Sequence, residues 1–324
     1  MGEAPGKTAL HHHVRRAVVT GGAGFVGSWL CEALINEGVA VVCVDNCLTG
    51  SADNVRHLRP HSSFDLVVAD VAEALDVAGH VDLVLHLASP ASPVDYQRYP
   101  VETLRVGSLG TMHALELARR HKARFVLTST SEVYGDPLEH PQREDYWGNV
   151  NPVGPRSMYD EAKRFAEAVT TAYREAHGVR TGIARLFNTY GPRMRADDGR
   201  AVPTFIRQAL AGDPVSVAGD GSQTRSICYV SDTVRGICAL ARTEYAGPFN
   251  IGNPDEVTML SLAERIVALS SSSSGIEYVA RPIDDPERRC PDISNARRLL
   301  GWSPEVESGD GLRRTITWFQ GSAS

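Results

Sequence analysis

A glycine-rich segment, Gly21-x-x-Gly24-x-x-Gly27, separates a short apolar run from an amphipathic helix pattern that ends at Gly38. The glycines allow a tight turn and let the backbone approach a pyrophosphate, while the start of a helix offers free N–H groups and a favourable dipole. The spacing differs from the more usual Gly-x-Gly-x-x-Gly, so on its own it also permits an ordinary glycine-rich turn. The segment nevertheless favours a strand–turn–helix unit that binds a dinucleotide.

Two aspartates follow at the ends of predicted strands. Asp45 ends the second strand, at the distance from the turn where a carboxylate accepts hydrogen bonds from the adenosine ribose. Its charge would repel a 2′-phosphate, so the predicted cofactor is NAD and not NADP. Asp70 ends the third strand, where it could contact the adenine amine or cap a helix, and the sequence leaves both readings open.

Strands and helices alternate through the first half of the chain. The predicted strands are VAVVCVDN, FDLVVAD, VDLVLHLAS and RFVLTSTSEVYG, and ETLRVGSLGTMHALELARRH is a predicted helix. This alternation indicates an α/β fold with a doubly wound parallel sheet of the Rossmann type, covered by helices on both faces. Further along, DPVSVAGDGSQTRSICYVSD is predicted to be a hairpin that turns at Asp220-Gly221.

The pattern also suggests a domain organisation. Residues 1–15 are expected to be a disordered leader, in which His11, His12 and His13 could bind metal but are better explained as a leader or tag remnant. Residues 16–186 are expected to form the NAD-binding domain. Residues 187–320 should be a smaller, mainly substrate-binding region, with some segments returning to the first domain and closing a cleft.

Composition excludes several classes of function. The net charge is −6 and no basic block indicates a nucleic-acid partner. No signal peptide or long apolar span is evident, so we expect no membrane association and a cytoplasmic location. The six cysteines lack metal-ligand spacing and are predicted to be small buried thiols, which implies no metal site.

Tyr159 and Lys163 form a Tyr-x-x-x-Lys motif near the start of a predicted helix. The spacing places both side chains on one helical face. A nearby ammonium and an oxidised nicotinamide ring favour the phenolate, which could take a proton from a sugar hydroxyl while hydride leaves the same carbon. Such pairs also occur by chance, but only three of the 33 basic residues are lysine, and one falls here.

Thr130, Ser131 and Glu132 follow the strand RFVLTST. Ligands of doubly wound sheets lie beyond the carboxyl ends of the strands, so these side chains should face a substrate. Their position alone would also be consistent with capping of a helix or turn.

Taken with these motifs, the chain resembles the extended short-chain dehydrogenase/reductase family of nucleotide-sugar enzymes, and within it the UDP-glucuronate decarboxylases. The resemblance covers roughly residues 16–319. It rests on HLASPASPVDY (86–96), TSTSEVYGDP (128–137), EDYWGNVNPVGPRSMYDEAKR (144–164), LFNTYGPRM (186–194), GSQTRSICYVSD (221–232), DDPERRCPDI and LGWSP.

Ser131 separates this subgroup from its relatives. The related 4,6-dehydratases carry Asp-Glu where this chain has Ser131-Glu132, and a serine cannot act as the acid that expels the C6 hydroxyl. The 4-epimerases lack the Ser-Glu pair, and the SPASP stretch (89–93) is typical of the decarboxylases. The resemblance therefore implies oxidation at C4 of UDP-glucuronate by NAD⁺, loss of CO₂ from the β-keto acid, and return of hydride to give UDP-xylose.

The resemblance also implies roles for individual residues. Tyr159 would deprotonate O4, Lys163 would orient the nicotinamide ribose and lower the pKa of Tyr159, and Glu132 would position the ring and disfavour the carboxylate by its charge. The implied catalytic residues are Tyr159, Lys163, Thr130, Ser131, Glu132 and Arg225. The implied cofactor contacts are Gly21, Gly24, Phe25, Val26, Gly27, Asp45, Asn46, Asp70, Val71, Leu87, Ala88, Ser89, Tyr159 and Lys163. The implied substrate contacts are Pro90, Tyr96, Ser131, Glu132, Asn188, Arg193, Arg225 and Arg289.

One departure and three alternatives accompany this interpretation. Relatives have threonine and asparagine where this chain has Val106 and Gly107, so a contact near the nicotinamide is expected to be missing or replaced by water. The chain could instead be a 4,6-dehydratase or 4-epimerase, a non-catalytic NAD-binding sensor, or a structural dimer with an incidental cofactor. An intact Tyr159 and Lys163 argue against a sensor. Pairing of two helices, as in family members, predicts a homodimer.

Overall fold

A computed structural model describes residues 14–322, so nearly all of the predicted leader lies outside the described residues. The strands are β1 (Arg16–Thr20), β2 (Ala40–Asp45), β3 (Phe64–Val68), β4 (Leu83–His86), β5 (Arg124–Thr130), β6 (Thr181–Leu186), β7 (Thr189–Tyr190), β8 (Val215–Ala218), β9 (Thr224–Ser226), β10 (Cys228–Tyr229), β11 (Phe249–Ile251), β12 (Glu256–Thr258), β13 (Ile276–Val279) and β14 (Arg288–Arg289). The helices are α1 (Phe25–Asn36), α2 (Pro93–Arg98), α3 (Pro100–Arg105), α4 (Thr111–His121), α5 (Ser157–His177), α6 (Ala201–Ala211), α7 (Val230–Ala241), α8 (Met259–Leu269) and α9 (Ser308–Ser322). Within residues 14–322, no helix has the length and apolar character needed to cross a bilayer.

The central sheet confirms the predicted α/β fold. Within the described part of the chain it has seven strands in the order β3-β2-β1-β4-β5-β6-β11, and every neighbouring pair runs parallel. The chain changes direction across the sheet between β1 and β4. Ligands of such sheets bind where the strand order reverses, at the carboxyl ends of the strands. The edge strand β11 comes from the second half of the chain.

Alternation along the inner strands builds a hydrophobic core on each face of the sheet. On β2, Val42 and Val44 belong to one buried cluster, while Val41 and Cys43 belong to the other. Successive side chains of a strand point to opposite faces, so a strand that is apolar at every position must be covered twice. Helices α4 and α5 cover one face, and α1 and α7 cover the other. The continuous apolar runs in the sequence are the signature of this two-sided burial.

Helices α3 and α4 form one run that is interrupted by a π-helical turn at Val106–Gly110. A Cβ atom on Gly107 would lie 2.6 Å from the Cβ of Ala162 on α5 and 3.1 Å from its backbone. The glycine therefore permits close contact between the turn and the residue that precedes Lys163. This contact leaves no room for an asparagine side chain at position 107.

The predicted hairpin at Asp220-Gly221 is wrong. The chain does turn there, since the Asp220 carboxylate accepts a hydrogen bond from the backbone N–H of Ser222 at 3.0 Å. However, β8 pairs in parallel with β13, whereas β9 pairs with β12 and β14. Val215 and Val217 of β8 are buried against α6 and α8. Strand β8 therefore packs onto these helices, whereas β9 contributes to the cleft.

Replacing Gly107 by alanine tests this packing. Alanine normally stabilises a helix interior by about 0.5–1 kcal/mol relative to glycine. Here the added methyl group overlaps Ala162, so we expect Gly107→Ala to lower the free energy of unfolding by about 1–3 kcal/mol. Urea titration provides the measurement. The control is Gly321→Ala in α9, where a Cβ atom meets nothing within 4 Å. A stabilised Gly107→Ala variant would contradict the proposed contact.

Candidate active site

A cleft of about 600 Å³ opens at the carboxyl ends of the central strands, between the sheet and the second half of the chain. All of the cofactor and substrate residues predicted from the sequence line it, and many of them lie in the loops after β1, β2, β4 and β5. The fold thus brings the predicted residues together in one place. Their individual roles stay predictions, argued below from geometry.

The glycine-rich turn forms one wall of the cleft. A Cβ atom on Gly27 would lie 2.1 Å from the carbonyl oxygen of Gly21, and one on Gly21 would lie 2.7 Å from the backbone nitrogen of Ala88. Gly21 also has a φ of +70°, in the region that favours glycine. Neither position therefore tolerates a side chain, and α1 begins next to the turn with its free N–H groups. This is the geometry that suits a pyrophosphate.

Asp45 and Asp70 both brace the backbone next to this wall. The Asp45 carboxylate accepts hydrogen bonds from the backbone N–H groups of Ala23 at 3.0 Å and Cys47 at 2.8 Å. Burial raises the pKa of Asp45. Asp70 accepts from the N–H of Ala72 at 2.8 Å and from the Asn46 amide at 3.2 Å. Asp70 caps a turn and not a helix, since no helix lies between β3 and β4, and the residue also lines the cleft.

Tyr159 and Lys163 lie on one face of α5, as the motif predicts. The ring of Tyr159 stacks on that of Tyr96, with centroids 5.3 Å apart and planes 10° from parallel. The Lys163 ammonium donates to the carbonyl of Thr128 at 3.0 Å and lies 5.9 Å from the centre of the Tyr159 ring. Burial raises the pKa of Tyr159 to about 12 and lowers the pKa of Lys163 to about 8. Bringing Tyr159 to a phenolate therefore requires added positive charge at this site.

Glu132 lies between two guanidinium groups. Arg156 donates to one carboxylate oxygen at 2.5 Å, and Arg289 donates to the other. Burial alone would raise the pKa of Glu132, but the charges of Arg289 and Arg156 outweigh it and lower the pKa to about 2. We call these three residues the Glu132 triad. Glu132 is therefore an anion with a positively charged guanidinium on each side. The sequence did not predict this arrangement.

Sequence reasoning missed two arginines that complete the site. Arg156 stands three residues before Tyr159, one helical turn away, and this spacing was the available signal. Arg200 holds Asp198 through two hydrogen bonds of 2.5 and 2.8 Å, and its charge acts to lower the pKa of Tyr159. Nothing in the sequence distinguishes Arg200 from the many exposed arginines.

The remaining predicted arginines reach the cleft from different sides. Arg193 pairs with Glu32 and lies over the ring of Trp29 at 4.6 Å, while Arg225 donates to Asp285 at 2.7 Å. The buried polar atoms of the cleft that have no hydrogen-bond partner among residues 14–322 include the Tyr96 hydroxyl, Nη1 of Arg193 and Nε of Arg289. Buried polar atoms are normally satisfied. These donors fit a polar, anionic ligand.

Comparison with known proteins gives concordant matches. Residues 17–252 match the model of the NAD dependent epimerase/dehydratase family. UDP-glucuronic acid decarboxylase 1 of Arabidopsis thaliana is 52% identical over 305 residues, covering 94% of this chain and 70% of the relative. The Danio rerio protein of the same name is 50% identical, with coverages of 94% and 72%. UDP-glucuronic acid 4-epimerase from Bacillus cereus, solved with UDP-glucuronic acid and NAD, superimposes with a TM-score of 0.84 at 28% identity, covering 95% and 99% of the two chains.

Neutralising Glu132 tests the Glu132 triad. In Glu132→Gln, two buried guanidiniums lose their counter-charge, so we expect the free energy of unfolding at pH 7 to fall by about 3–5 kcal/mol. Because the pKa of Glu132 is lowered on folding, its contribution is present above the ordinary carboxyl pKa of about 4 and is lost as the pH falls toward about 2. Denaturant titrations at several pH values measure this.

The control is Glu116→Gln, which removes an exposed ion pair with Arg119 and should change stability little. A difference between wild type and Glu132→Gln that stays constant down to pH 2 would argue against the Glu132 triad.

Proposed function

Because the chain belongs to the NAD dependent epimerase/dehydratase family, we propose that it is an NAD-dependent decarboxylase that converts UDP-glucuronate into UDP-xylose and CO₂. The observation that carries this proposal is Ser131-Glu132 beside Tyr159, with Glu132 held ionised between Arg156 and Arg289. Relatives that are 50–52% identical over nearly the whole chain are UDP-glucuronic acid decarboxylases.

The walls of the cleft fit NAD. The backbone of the glycine-rich turn would hold the pyrophosphate, and Asp45 would accept hydrogen bonds from the adenosine ribose. When bound, NAD⁺ would supply reversible removal of hydride at C4 of the sugar and the positive charge of its nicotinamide ring. Tyr159 is the residue placed to take the O4 proton, and Thr130 lies within its hydrogen-bonding reach.

Lys163 and Arg200 prepare Tyr159 for this task. Burial keeps the tyrosine protonated in the absence of ligand, with a pKa of about 12. The charge of Arg200 acts to lower this pKa, and the Lys163 ammonium lies 5.9 Å from the centre of the ring. Lys163 is anchored by the Thr128 carbonyl, so its ammonium stays oriented while the tyrosine exchanges a proton with O4.

Decarboxylation needs little from the protein once a ketone stands at C4. The bond between C5 and the carboxyl carbon breaks, its electron pair moves toward the ketone oxygen, and C5 is then reprotonated. The Glu132 triad keeps Glu132 ionised at neutral pH. Glu132 therefore acts as an anion that holds the two arginines in place and not as an acid. Ser131 offers a hydroxyl to the sugar, where a dehydratase needs a carboxylic acid.

We further propose that the protein is a homodimer. Helices α3 and α4 pack against α5, and together they expose large apolar side chains. Leu104, Leu109, Met112 and Phe165 are 44%, 42%, 37% and 45% exposed, respectively. Apolar residues grouped on neighbouring helices favour burial against a second copy.

We also place this activity in the cytosol. All six cysteines are free, and five of them are buried as predicted while Cys47 is partly exposed. Free thiols of this kind are usual in reducing compartments.

Tyr159→Phe tests the proposed reaction. The wild-type protein with UDP-glucuronate and catalytic NAD⁺ should release CO₂ and form a UDP-pentose. The variant retains the stacked ring but loses the group that takes the O4 proton, so turnover should fall by about 10²–10⁴-fold. NAD⁺ affinity, measured by calorimetry, should be nearly unchanged.

Tyr173→Phe on the same helix is the matched control and should keep full activity. A Tyr159→Phe variant with more than about a tenth of the wild-type rate would show that another group is the base. Wild-type conversion of UDP-glucuronate without CO₂ would indicate a 4-epimerase, and NAD binding with no turnover would indicate a sensor.

Phe165→Glu tests the dimer. A buried, unpaired carboxylate at the interface is strongly unfavourable, so the variant should be monomeric at micromolar concentrations where the wild type is dimeric. Light scattering gives both masses. Tyr278→Glu, on the exposed strand β13, is the control and should leave the dimer intact. A monomeric wild-type protein would refute the proposal.

A further inference from the structure

A second group of reactive side chains lies outside the cleft. His140 is in the loop between β5 and α5, Glu256 begins β12, and Cys290 directly follows β14. One donor atom from each lies within 4.8 Å of the other two. These residues are far apart in the sequence, which is why cysteine spacing predicted no metal site. Imidazole, carboxylate and thiolate are all ligands of zinc.

His140 contacts one acidic and one basic side chain through the same ring nitrogen. Its Nε2 lies 2.9 Å from a carboxylate oxygen of Glu256 and 3.2 Å from a guanidinium nitrogen of Arg288. Arginine only donates hydrogen bonds, so a His140 that accepts from Arg288 carries no proton on Nε2 to give to Glu256. The nitrogen and the carboxylate then face each other beside a positive charge, since the same guanidinium lies 4.0 Å from Glu256.

Cys290 supplies the buried side of this group. Its thiol donates to the carbonyl of Pro254 at 3.2 Å. A divalent cation binds the thiolate and displaces the thiol proton, as metal sites generally do. The other two side chains are only partly buried, which leaves a path for an ion to enter.

We propose that His140, Glu256 and Cys290 bind one thiophilic divalent cation of the Zn²⁺ type. Zinc bonds of about 2.0–2.3 Å place neighbouring ligand atoms about 3.5 Å apart, so movements of about 1 Å complete the set. Water supplies the fourth ligand. Arg288 is displaced by the ion, which its 59% exposed side chain allows.

The site would stabilise the segments behind the cleft. The ion would join the loop at His140 to β12 and to Cys290. Cys290 directly follows Arg289, and the Arg289 guanidinium contacts Glu132 and the carbonyl of Gly135. The site does not touch the proposed cofactor or substrate positions. The bound ion therefore stabilises the fold and takes no part in the proposed reaction.

Titration of the metal-free full-length protein with Co²⁺ tests the site. Cobalt replaces zinc and gives a thiolate charge-transfer band, which His11, His12 and His13 cannot produce. We expect the band to saturate at one equivalent per chain and to be abolished by Zn²⁺. Cys290→Ser should remove it, whereas Cys47→Ser, which changes the partly exposed thiol, should retain it.

His140→Gln provides a second variant. Loss of residues that only support a ligand already weakens metal binding about 10–100-fold, so loss of a ligand should weaken cobalt binding by at least about tenfold. Zn²⁺ should also raise the melting temperature of the wild type but not of Cys290→Ser. A folded wild type without the band, a band that persists in Cys290→Ser, or unchanged affinity in His140→Gln would each overturn the proposal.

Discussion

The backbone contact between Gly21 and Gly27 is the constraint on which the rest of this structure depends. With a Cβ position only 2.1 Å from a carbonyl oxygen, no other residue fits at Gly27, and α1 is held directly at the end of β1. Asp45 fixes the same turn from β2 through the N–H of Ala23. The first two strands, the first helix and the cofactor wall are therefore positioned by one set of close backbone approaches.

The Glu132 triad is the corresponding link between the two halves of the chain. Glu132 follows β5, Arg156 precedes α5, and Arg289 belongs to β14, so one buried carboxylate joins three distant segments. Burying three charged groups is costly, and such a network stabilises a protein only when every member is paired. Its position beside Tyr159 suggests that the arrangement serves chemistry as much as stability. The proposed cation site lies directly behind it, next to Arg289.

Local patterns predicted the features that arise from local physics. Apolar runs predicted the two-sided parallel sheet, the glycine spacing predicted the turn, and the four-residue spacing of Tyr159 and Lys163 predicted their shared face. Features that depend on distant partners were missed. The strand β8 was assigned to a hairpin because its true partner, β13, lies some sixty residues away in the chain. Arg200 and Cys290 could not be distinguished, because their importance comes from Tyr159, His140 and Glu256, which only folding brings near.

The most direct test of the proposed reaction follows one hydrogen and one carbon through it. The measurement uses UDP-glucuronate carrying deuterium at C4 and ¹³C in the carboxyl group, with NAD⁺ in catalytic amounts, and analyses the products by NMR and mass spectrometry. If Tyr159 and the Glu132 triad act as proposed, the ¹³C of the carboxyl group leaves as ¹³CO₂ and the UDP-pentose retains deuterium at C4. A product that keeps the ¹³C, or a pentose whose C4 hydrogen comes from water, would contradict the proposed function.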